Sequence, residues 1–226
     1  MPSPPKLVGT LEIAAVPCGL ACDDPDFAAV LLDRYSRFLS RRPPALTVDI
    51  EVRHEPPVDG DPNAVYARIA GDEGTITVDG DGFHGLFDEQ RGRGQIVQPA
   101  DPSPLEALLT AVFASRLLRE GGCLLHAAAV VRDGVAHVFY GPSGSGKTTV
   151  AELFGDGVIS DEIALLRPAH AGWIVSGMPW RGTTLTAPLG SVLRLRQSRR
   201  TEFQRLAPAL AVRSLLGCAL FARPDG

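Results

Sequence analysis

The sequence predicts an α/β protein in which a mixed, largely antiparallel sheet carries a glycine-rich loop, preceded by a small α+β region. The first observation is the stretch Gly141–Thr149, which stands between a strand-like run and a helix-like run. The second is Asp133-Gly134, a two-residue hairpin signal just upstream of the loop. An antiparallel partner joined by a tight turn does not fit a parallel βαβ plan, so we expect a mixed sheet. We place the α+β region at residues 1–100 and the loop-bearing core at 101–226.

Composition and charge exclude several classes of protein. Of the 226 residues, 45% are hydrophobic and 21% are charged, as in ordinary globular proteins. The net charge of −4 argues against a nucleic-acid partner and against binding to an anionic membrane. No apolar run approaches the roughly 18 residues that span a bilayer, and no signal-peptide core follows the proline-rich start. The four cysteines are at positions 18, 22, 123 and 218, and Cys18-x-x-x-Cys22 has no second ligand pair nearby, so we expect reduced thiols in a cytoplasmic protein and no zinc site.

The first hundred residues alternate strand-like and helix-like patterns. Residues 11–16 are typical of a strand, and Asp24-Pro25 begins a helix with apolar positions at 3.6-residue spacing that ends near Arg41. Further strands are predicted at 46–52, 64–69, 75–78 and 83–87. We expect these strands to form a small antiparallel sheet, and we expect Arg91–Gly94 to be a flexible basic loop.

The second region begins at Asp101–Pro104, where serine and proline suit the start of a helix. A broad apolar stripe carries this helix to about Glu120, and Gly121-Gly122 ends it. Strands are then predicted at 123–131, 135–140, 157–160, 163–166, 173–175 and 192–195. Two more helices are predicted at 148–154 and 208–221.

The glycine-rich loop matches the pattern G-x-x-x-x-G-K-[ST] at every fixed position. Its glycines let backbone N–H groups close around phosphate oxygens, and Lys147 is placed to bridge the β- and γ-phosphates. The Thr148 hydroxyl is placed to bind Mg²⁺, and the positive end of the following helix points at the anion. We therefore predict that the chain binds a nucleoside triphosphate through Gly141, Ser143, Gly144, Ser145, Gly146, Lys147, Thr148 and Thr149.

The hairpin signal also predicts where His126 lies. If Asp133-Gly134 forms the centre of the turn, Arg132 faces Val135, and further along His126 faces Gly141. An imidazole beside the first glycine of the loop can carry charge or a proton, which makes His126 a candidate catalytic residue. The alternative is a core histidine that bonds a backbone carbonyl, and a one-residue bulge would break the register.

Two adjacent carboxylates follow the loop helix, at the end of the apolar run 157–160. Phosphoryl transfer needs a group that holds Mg²⁺ and a group that takes or orients the proton of the attacking hydroxyl. Neighbours in an extended chain point in opposite directions, so Asp161 and Glu162 can divide these tasks, and both are candidate metal ligands. The alternative is an acidic pair in a solvated turn.

Leu125-His126, the hairpin, the stretch GPSGSGKTT and Ser160–Glu162 together resemble the core of HPr kinase/phosphorylase. They are still more similar to the smaller HPr-kinase-related serine kinases, which are often encoded beside peptide-modification clusters. In that family a histidine precedes the phosphate loop on a neighbouring strand, and a pair of acids follows the loop helix. HPr kinase itself has two aspartates there, whereas this chain has Asp161-Glu162. The resemblance is specific between about 121 and 168.

The resemblance implies a phosphoenolpyruvate-carboxykinase-like nucleotide fold with Asp161 as catalytic base. It also implies Lys147 on the phosphates, and Thr148 and Glu162 near Mg²⁺. On this basis we expect an ATP- and Mg²⁺-dependent kinase that transfers the γ-phosphoryl group to a serine or other hydroxyl of a peptide or protein. Self-association into a homo-oligomer is compatible with this expectation. Arg181 is a further candidate contact to a phosphate or to the acceptor.

Two alternatives stay open from the sequence. The same core also suits a small-molecule kinase, which would phosphorylate a metabolite and no polypeptide. It also suits a sensor or scaffold module that binds ATP without transfer, in which Asp161→Asn would change no activity. A GTPase is disfavoured because the chain has no N-K-x-D stretch. From its position alone, the region 1–100 is expected to help shape the acceptor site.

Overall fold

The computed structural model describes residues 5–54, 68–72 and 74–220. Backbone contacts divide them into two compact units, one that ends at Ser115 and one that comprises Arg116–Leu220. The division predicted from the sequence lies at 100/101, just before a helix, whereas the contacts divide the chain inside that helix. As the sequence predicts, the protein is a mixed α/β structure with mixed sheets.

Within the described residues, the first unit contains a seven-stranded sheet of order β1-β2-β3-β7-β6-β5-β4. Its strands are β1 Lys6–Ile13, β2 Val16–Cys22, β3 Leu46–Val52, β4 Arg68–Asp72, β5 Thr75–Gly80, β6 Phe83–Asp88 and β7 Arg93–Gln98. The expectation of an antiparallel sheet is wrong for β3, which is parallel to both β2 and β7. A helix lies between β2 and β3 in the chain, and such a crossover connection is what parallel pairing requires.

Two predictions in this unit are wrong, and a third lies mostly outside the described residues. The predicted strand 11–16 spans a turn between β1 and β2, because Ala14 and Ala15 adopt positive φ values of 51° and 67° that alanine rarely takes. The predicted loop at Arg91–Gly94 runs into β7. Residues 64–67 of the predicted strand 64–69 lie outside the described part of the chain.

The helices of the first unit begin where the sequence predicts. Helix α1, Pro25–Arg34, starts at Asp24, whose carboxylate accepts the N–H of Phe27 at 2.7 Å. It ends earlier than predicted and is followed by a short 3₁₀ turn, Ser36–Phe38. Helix α2 spans Pro102–Arg119. It contacts the residue that ends α1, Tyr35, whose hydroxyl donates to the Glu106 carboxylate at 2.9 Å.

The second unit is built on strands that follow α2. They are β8 Cys123–Arg132, β9 Val135–Tyr140, β10 Val158–Ser160, β11 Ile163–Ala169, β12 Gly172–Gly177, β13 Ala187–Arg194 and β14 Ala219–Leu220. Five of them close into a barrel, in the order β8-β11-β12-β13-β9 and back to β8. The pairs of this unit are antiparallel except β13–β9, which is parallel. The closure explains the small residues of its core, since Ala127, Ala129, Ala136 and Ala164 are fully buried inside it.

Helix α3, Lys147–Phe154, packs on the outer face of this barrel against β8, β9 and β10. The ring of Phe154 lies 6.4 Å from that of Phe139 in β9. Helix α3 ends at Gly155, which has a positive φ of 54°. Helix α4, Pro208–Leu216, is shorter than predicted because β14 follows it, and Phe221 lies outside the described residues. None of the helices in the described part of the chain combines the length and the apolar character needed to cross a lipid bilayer.

Candidate functional site

The glycine-rich loop joins the end of β9 to the start of α3. Gly144 and Gly146 adopt positive φ values of 74° and 102°, a conformation that favours glycine over every residue with a Cβ atom. Gly146 is the residue before α3, and it supplies no side-chain cap to the helix. The N–H groups of the first turn of α3 are therefore left for another acceptor, as at anion-binding helix starts.

Gly141 is required for a different reason, the close approach of three segments. A Cβ atom at this position would lie 2.8 Å from the Ser145 hydroxyl oxygen and 3.0 Å from the carbonyl oxygen of Leu195. Leu195 follows β13, and its N–H donates to the Tyr140 carbonyl at 2.8 Å. The segment that follows β13, the parallel partner of β9, thus continues alongside the loop and packs closely against Gly141, the first residue of the loop.

Lys147 is buried, with 8% of its surface exposed, and its side chain turns back over the loop. Its Nζ atom donates to the carbonyl oxygens of Gly141 at 3.0 Å and Pro142 at 3.2 Å. The side chains of Ser143, Thr148 and Thr149 are exposed around it. The Ser145 hydroxyl oxygen is buried, and no described residue forms a hydrogen bond with it.

The hairpin register that the sequence predicts is confirmed from Arg132 to Ala127, but the ladder does not extend to the predicted pair of His126 with Gly141. Arg132 pairs with Val135, and the antiparallel ladder continues to Ala127, which pairs with Tyr140. His126 is the next residue, and its N–H donates to the Cys218 carbonyl at 2.7 Å instead of pairing with the loop. On the other edge of β8, His126 pairs with Ile163 of β11. His126 alternates with the core residue Ala127, so its side chain is on the outer face of β8, the face that α3 covers.

Asp161 and Glu162 form the turn between β10 and β11. Ser160, which is fully buried, fixes this turn. Its hydroxyl donates to the Arg181 carbonyl at 2.6 Å and accepts the N–H groups of Glu162 at 3.3 Å and Ile163 at 3.0 Å. Sequence analysis did not assign Ser160 this role. A serine that directly precedes two acids is a signal for such a turn, because its short side chain bonds the backbone nearby.

Arg181 reaches the same turn from the segment between β12 and β13. Its Nε atom donates to a Glu162 carboxylate oxygen at 2.9 Å, with both side chains partly exposed. The segment is held against β10, because the N–H of Thr183 donates to the Ile159 carbonyl at 2.8 Å. The structure thus brings the Arg181 guanidinium to one of the two predicted acids.

Strand β8 lies between the loop and the acidic turn. On one side Ala127 pairs with Tyr140, the last residue before the loop. On the other side the N–H of Ala127 donates to the Glu162 carbonyl at 2.9 Å. The start of the loop and the acidic turn thus lie on opposite edges of β8, with this one strand between them. His126 is next to Ala127, between these two segments.

The oxygen donors near β8 are of the kind that Mg²⁺ prefers. Mg²⁺ is usually bound in proteins by one or two carboxylates together with phosphate oxygens. Asp161, Glu162 and the hydroxyl of Thr148 supply such donors, so their chemistry fits the predicted ion. In the part of the chain that the structure describes, no group of three or more His, Cys, Asp and Glu side chains is arranged to hold a metal.

A cavity of about 530 Å³ opens beside the loop. One wall is formed by Pro142–Ser145 and the other by Arg194–Gln197, the residues at and beyond the end of β13. The Gln197 side-chain amide donates to the Gly144 carbonyl at 2.7 Å and joins the two walls. No local pattern in the sequence indicates that these residues line the site, because that depends on the parallel pairing of β13 with β9.

No model of a known protein family matches this chain, and a search of the curated proteins finds no match either.

Proposed function

We propose that the chain is an ATP-dependent phosphotransferase that phosphorylates a hydroxyl group, a serine of a peptide or protein. We further propose that its second unit is a phosphoenolpyruvate-carboxykinase-like phosphate-loop core of the HPr-kinase type. The closed, largely antiparallel barrel, with the loop strand in an antiparallel hairpin, supports this core over a parallel nucleotide-binding sheet.

One observation carries the proposal: β8 holds the start of the loop on one side and the acidic turn on the other. Phosphoryl transfer consists mainly of positioning and charge stabilisation, so it requires a phosphate-binding loop and a proton acceptor within reach of one phosphoryl group. One strand separates the two backbone segments, which leaves room for side chains and a phosphoryl group between them.

In this proposal each residue has a defined task. The loop N–H groups and Lys147 bind the phosphates, and Lys147 moves from the carbonyl oxygens of Gly141 and Pro142 to the nucleotide. Asp161 takes the proton of the acceptor hydroxyl while the hydroxyl oxygen forms a bond to the γ-phosphorus. The bond between that phosphorus and the β–γ bridging oxygen breaks, and ADP leaves with the electron pair.

Three other groups support the transfer. Mg²⁺, when bound, would neutralise charge on the β- and γ-phosphates. Thr148 and Glu162 would hold it, with Asp161 close by. His126, on the face covered by α3, would supply charge or a proton near the first glycine of the loop. Ser160 keeps the acidic turn in a fixed conformation through its three hydrogen bonds.

The test follows the γ-phosphate of labelled ATP in host lysate with Mg²⁺, and compares the wild type with Lys147→Ala and Asp161→Asn. Mass spectrometry identifies whatever becomes labelled, and circular dichroism verifies that each variant is folded. We expect a labelled serine peptide with the wild type, and a loss of at least about 100-fold in rate with Asp161→Asn, the usual scale for a general base.

The other outcomes separate the alternatives. A labelled metabolite with no labelled polypeptide would replace the peptide acceptor by a small molecule. ATP binding without transfer, unchanged by Asp161→Asn, would contradict the catalytic assignment and support a sensor. A wild-type protein that binds no nucleotide would refute the proposal entirely.

A further inference from the structure

The wall of the cavity that faces the loop carries two arginines. Arg194 is the last residue of β13 and pairs in parallel with Tyr140, the last residue of β9. Arg196 follows two residues later, and both side chains are exposed. They line the same cavity as Pro142–Ser145. Among the residues that the structure describes, neither arginine forms an ion pair with a carboxylate. Their positive charge is thus left for a ligand of the cavity.

The position of Lys147 indicates which part of a nucleotide would lie there. In this loop pattern the lysine reaches the β- and γ-phosphates. Here its Nζ atom lies against the carbonyl oxygens of Gly141 and Pro142, and Pro142 also lines the cavity. The terminal phosphate is therefore expected at the first residues of the loop, on the side where Arg194 and Arg196 lie.

The Gln197 side chain connects the two walls of the cavity. Its amide donates to the Gly144 carbonyl, and the neighbouring Leu195 is bonded to Tyr140 through its N–H. These two bonds place the arginine segment alongside the loop on both sides of Arg196. A guanidinium has a rigid fork of donors that matches phosphate oxygens, so an arginine on this wall suits a bidentate contact with a phosphate in the cavity.

We propose that Arg194 and Arg196 bind the terminal phosphate of the nucleoside triphosphate, and that they make this cavity select triphosphate over diphosphate. The inference rests on the proposed function. It adds the positive charges of Arg194 and Arg196, which would lie across the cavity from the loop with the nucleotide between the two walls. Arg194 and Arg196 contact the γ-phosphoryl group directly in this scheme. Gln197 contributes by holding the loop, and it does not distinguish between nucleotides.

The test measures binding by titration calorimetry, with Mg²⁺, of ADP and of an ATP analogue that cannot be hydrolysed. It compares the wild type, the double variant Arg194→Gln/Arg196→Gln, and Lys147→Ala. The matched control is Arg132→Gln, an exposed arginine at the hairpin turn on the opposite end of β8 and β9. We expect the double variant to bind the ATP analogue about tenfold more weakly, as for the loss of charge-assisted bonds, and to bind ADP within about twofold of the wild type.

The remaining outcomes distinguish this inference from the proposed function. Equal weakening of both nucleotides, or no weakening of either, would overturn the inference. The inference would also be overturned if the double variant kept its affinity for the ATP analogue and showed only a higher KM for the acceptor. In that case the arginines would bind the acceptor and not the nucleotide. If Lys147→Ala abolished binding while the double variant matched the wild type, the proposed function would stand and the inference would fail. A wild type that bound neither nucleotide would remove both.

Discussion

The Arg181 guanidinium donates to the Glu162 carboxylate at 2.9 Å, and it joins the segment after β12 to the acidic turn before β11. Both side chains are partly exposed, with 55% and 39% of their surface accessible, so the pair contributes little to folding stability. The pair matters because the Arg181 guanidinium offsets the negative charge of the Glu162 carboxylate. An arginine bonded to a candidate metal ligand competes with the metal for the carboxylate oxygens.

Replacement of Arg181 by glutamine therefore provides the first prediction. We expect Arg181→Gln to shift the Mg²⁺ concentration at half-maximal activity downward by roughly two- to fivefold, the scale of an exposed ion pair. The free energy of unfolding is expected to change by less than about 1 kcal/mol. A Mg²⁺ titration of phosphate transfer measures the shift, with Arg132→Gln as the control. An unchanged midpoint would indicate that Glu162 does not bind the metal.

The first glycine of the loop provides the second prediction. Gly141→Ala would place a methyl group 3.0 Å from the Leu195 carbonyl and 2.8 Å from the Ser145 hydroxyl, so the loop or the segment after β13 must shift. We expect a loss of about 1–3 kcal/mol in the free energy of unfolding, as for an overpacked site, together with loss of ATP binding.

A suitable control for this variant is Gly217→Ala. Gly217 has a helical φ of −69°, and an added Cβ would approach nothing closer than 3.5 Å. Urea unfolding and nucleotide titration of both variants measure the effect. Full ATP binding by Gly141→Ala would show that the close approach at this glycine is not needed for the site.

The serine that fixes the acidic turn provides the third prediction. Ser160→Ala removes a donor to the Arg181 carbonyl and an acceptor for the Ile163 N–H in a fully buried position. Buried polar groups left without partners cost about 1–3 kcal/mol, so we expect that loss in the free energy of unfolding. We also expect phosphate transfer to fall more than ATP affinity, because the turn carries Asp161 and the loop is untouched. Ser198→Ala, at an exposed serine, is the control. Equal loss of binding and transfer would argue against a specific effect on the turn.

The buried thiol of Cys18 in β2 provides the fourth prediction, on pH. Burial raises the pKa of this thiol from 9.0 to about 12. The unfolded chain therefore releases the proton near pH 9, whereas the folded protein retains it until about pH 12. The stability contributed by the neutral thiol is present in full below pH 9 and is lost as the pH rises toward 12.

We test this by urea unfolding at pH 8 and pH 10.5. Between these values the wild type is expected to lose on the order of 1–2 kcal/mol more stability than Cys18→Ala, at about 1.4 kcal/mol per pH unit. The variant also loses packing, so the comparison concerns the slope with pH and not the absolute stability. Parallel slopes for the two proteins would contradict the prediction.

The features that could be predicted from the sequence are those with a local cause. Asp133-Gly134 fixes the hairpin register of β8 and β9 because the turn type sets the pairing of the flanking strands. Asp24 and Pro25 mark the start of α1, because a side-chain acceptor and a fixed φ act within one turn. The turn at Ala14-Ala15 was missed, since its positive φ values go against the preference of alanine and are imposed by the pairing of β1 with β2.

The sequence by itself determined the loop, the helix that follows it, and the register of the β8–β9 hairpin as far as Ala127 and Tyr140, since each depends on residues close together in the chain. Only the tertiary structure decided that β13 would lie parallel to β9 and bring Arg194 and Arg196 beside the loop. It also decided that Arg181 would reach Glu162 and that Gln197 would bond Gly144. These contacts join segments far apart in the chain. They arise because five strands must close to bury one shared core of alanines and larger apolar side chains, and no local pattern encodes that closure.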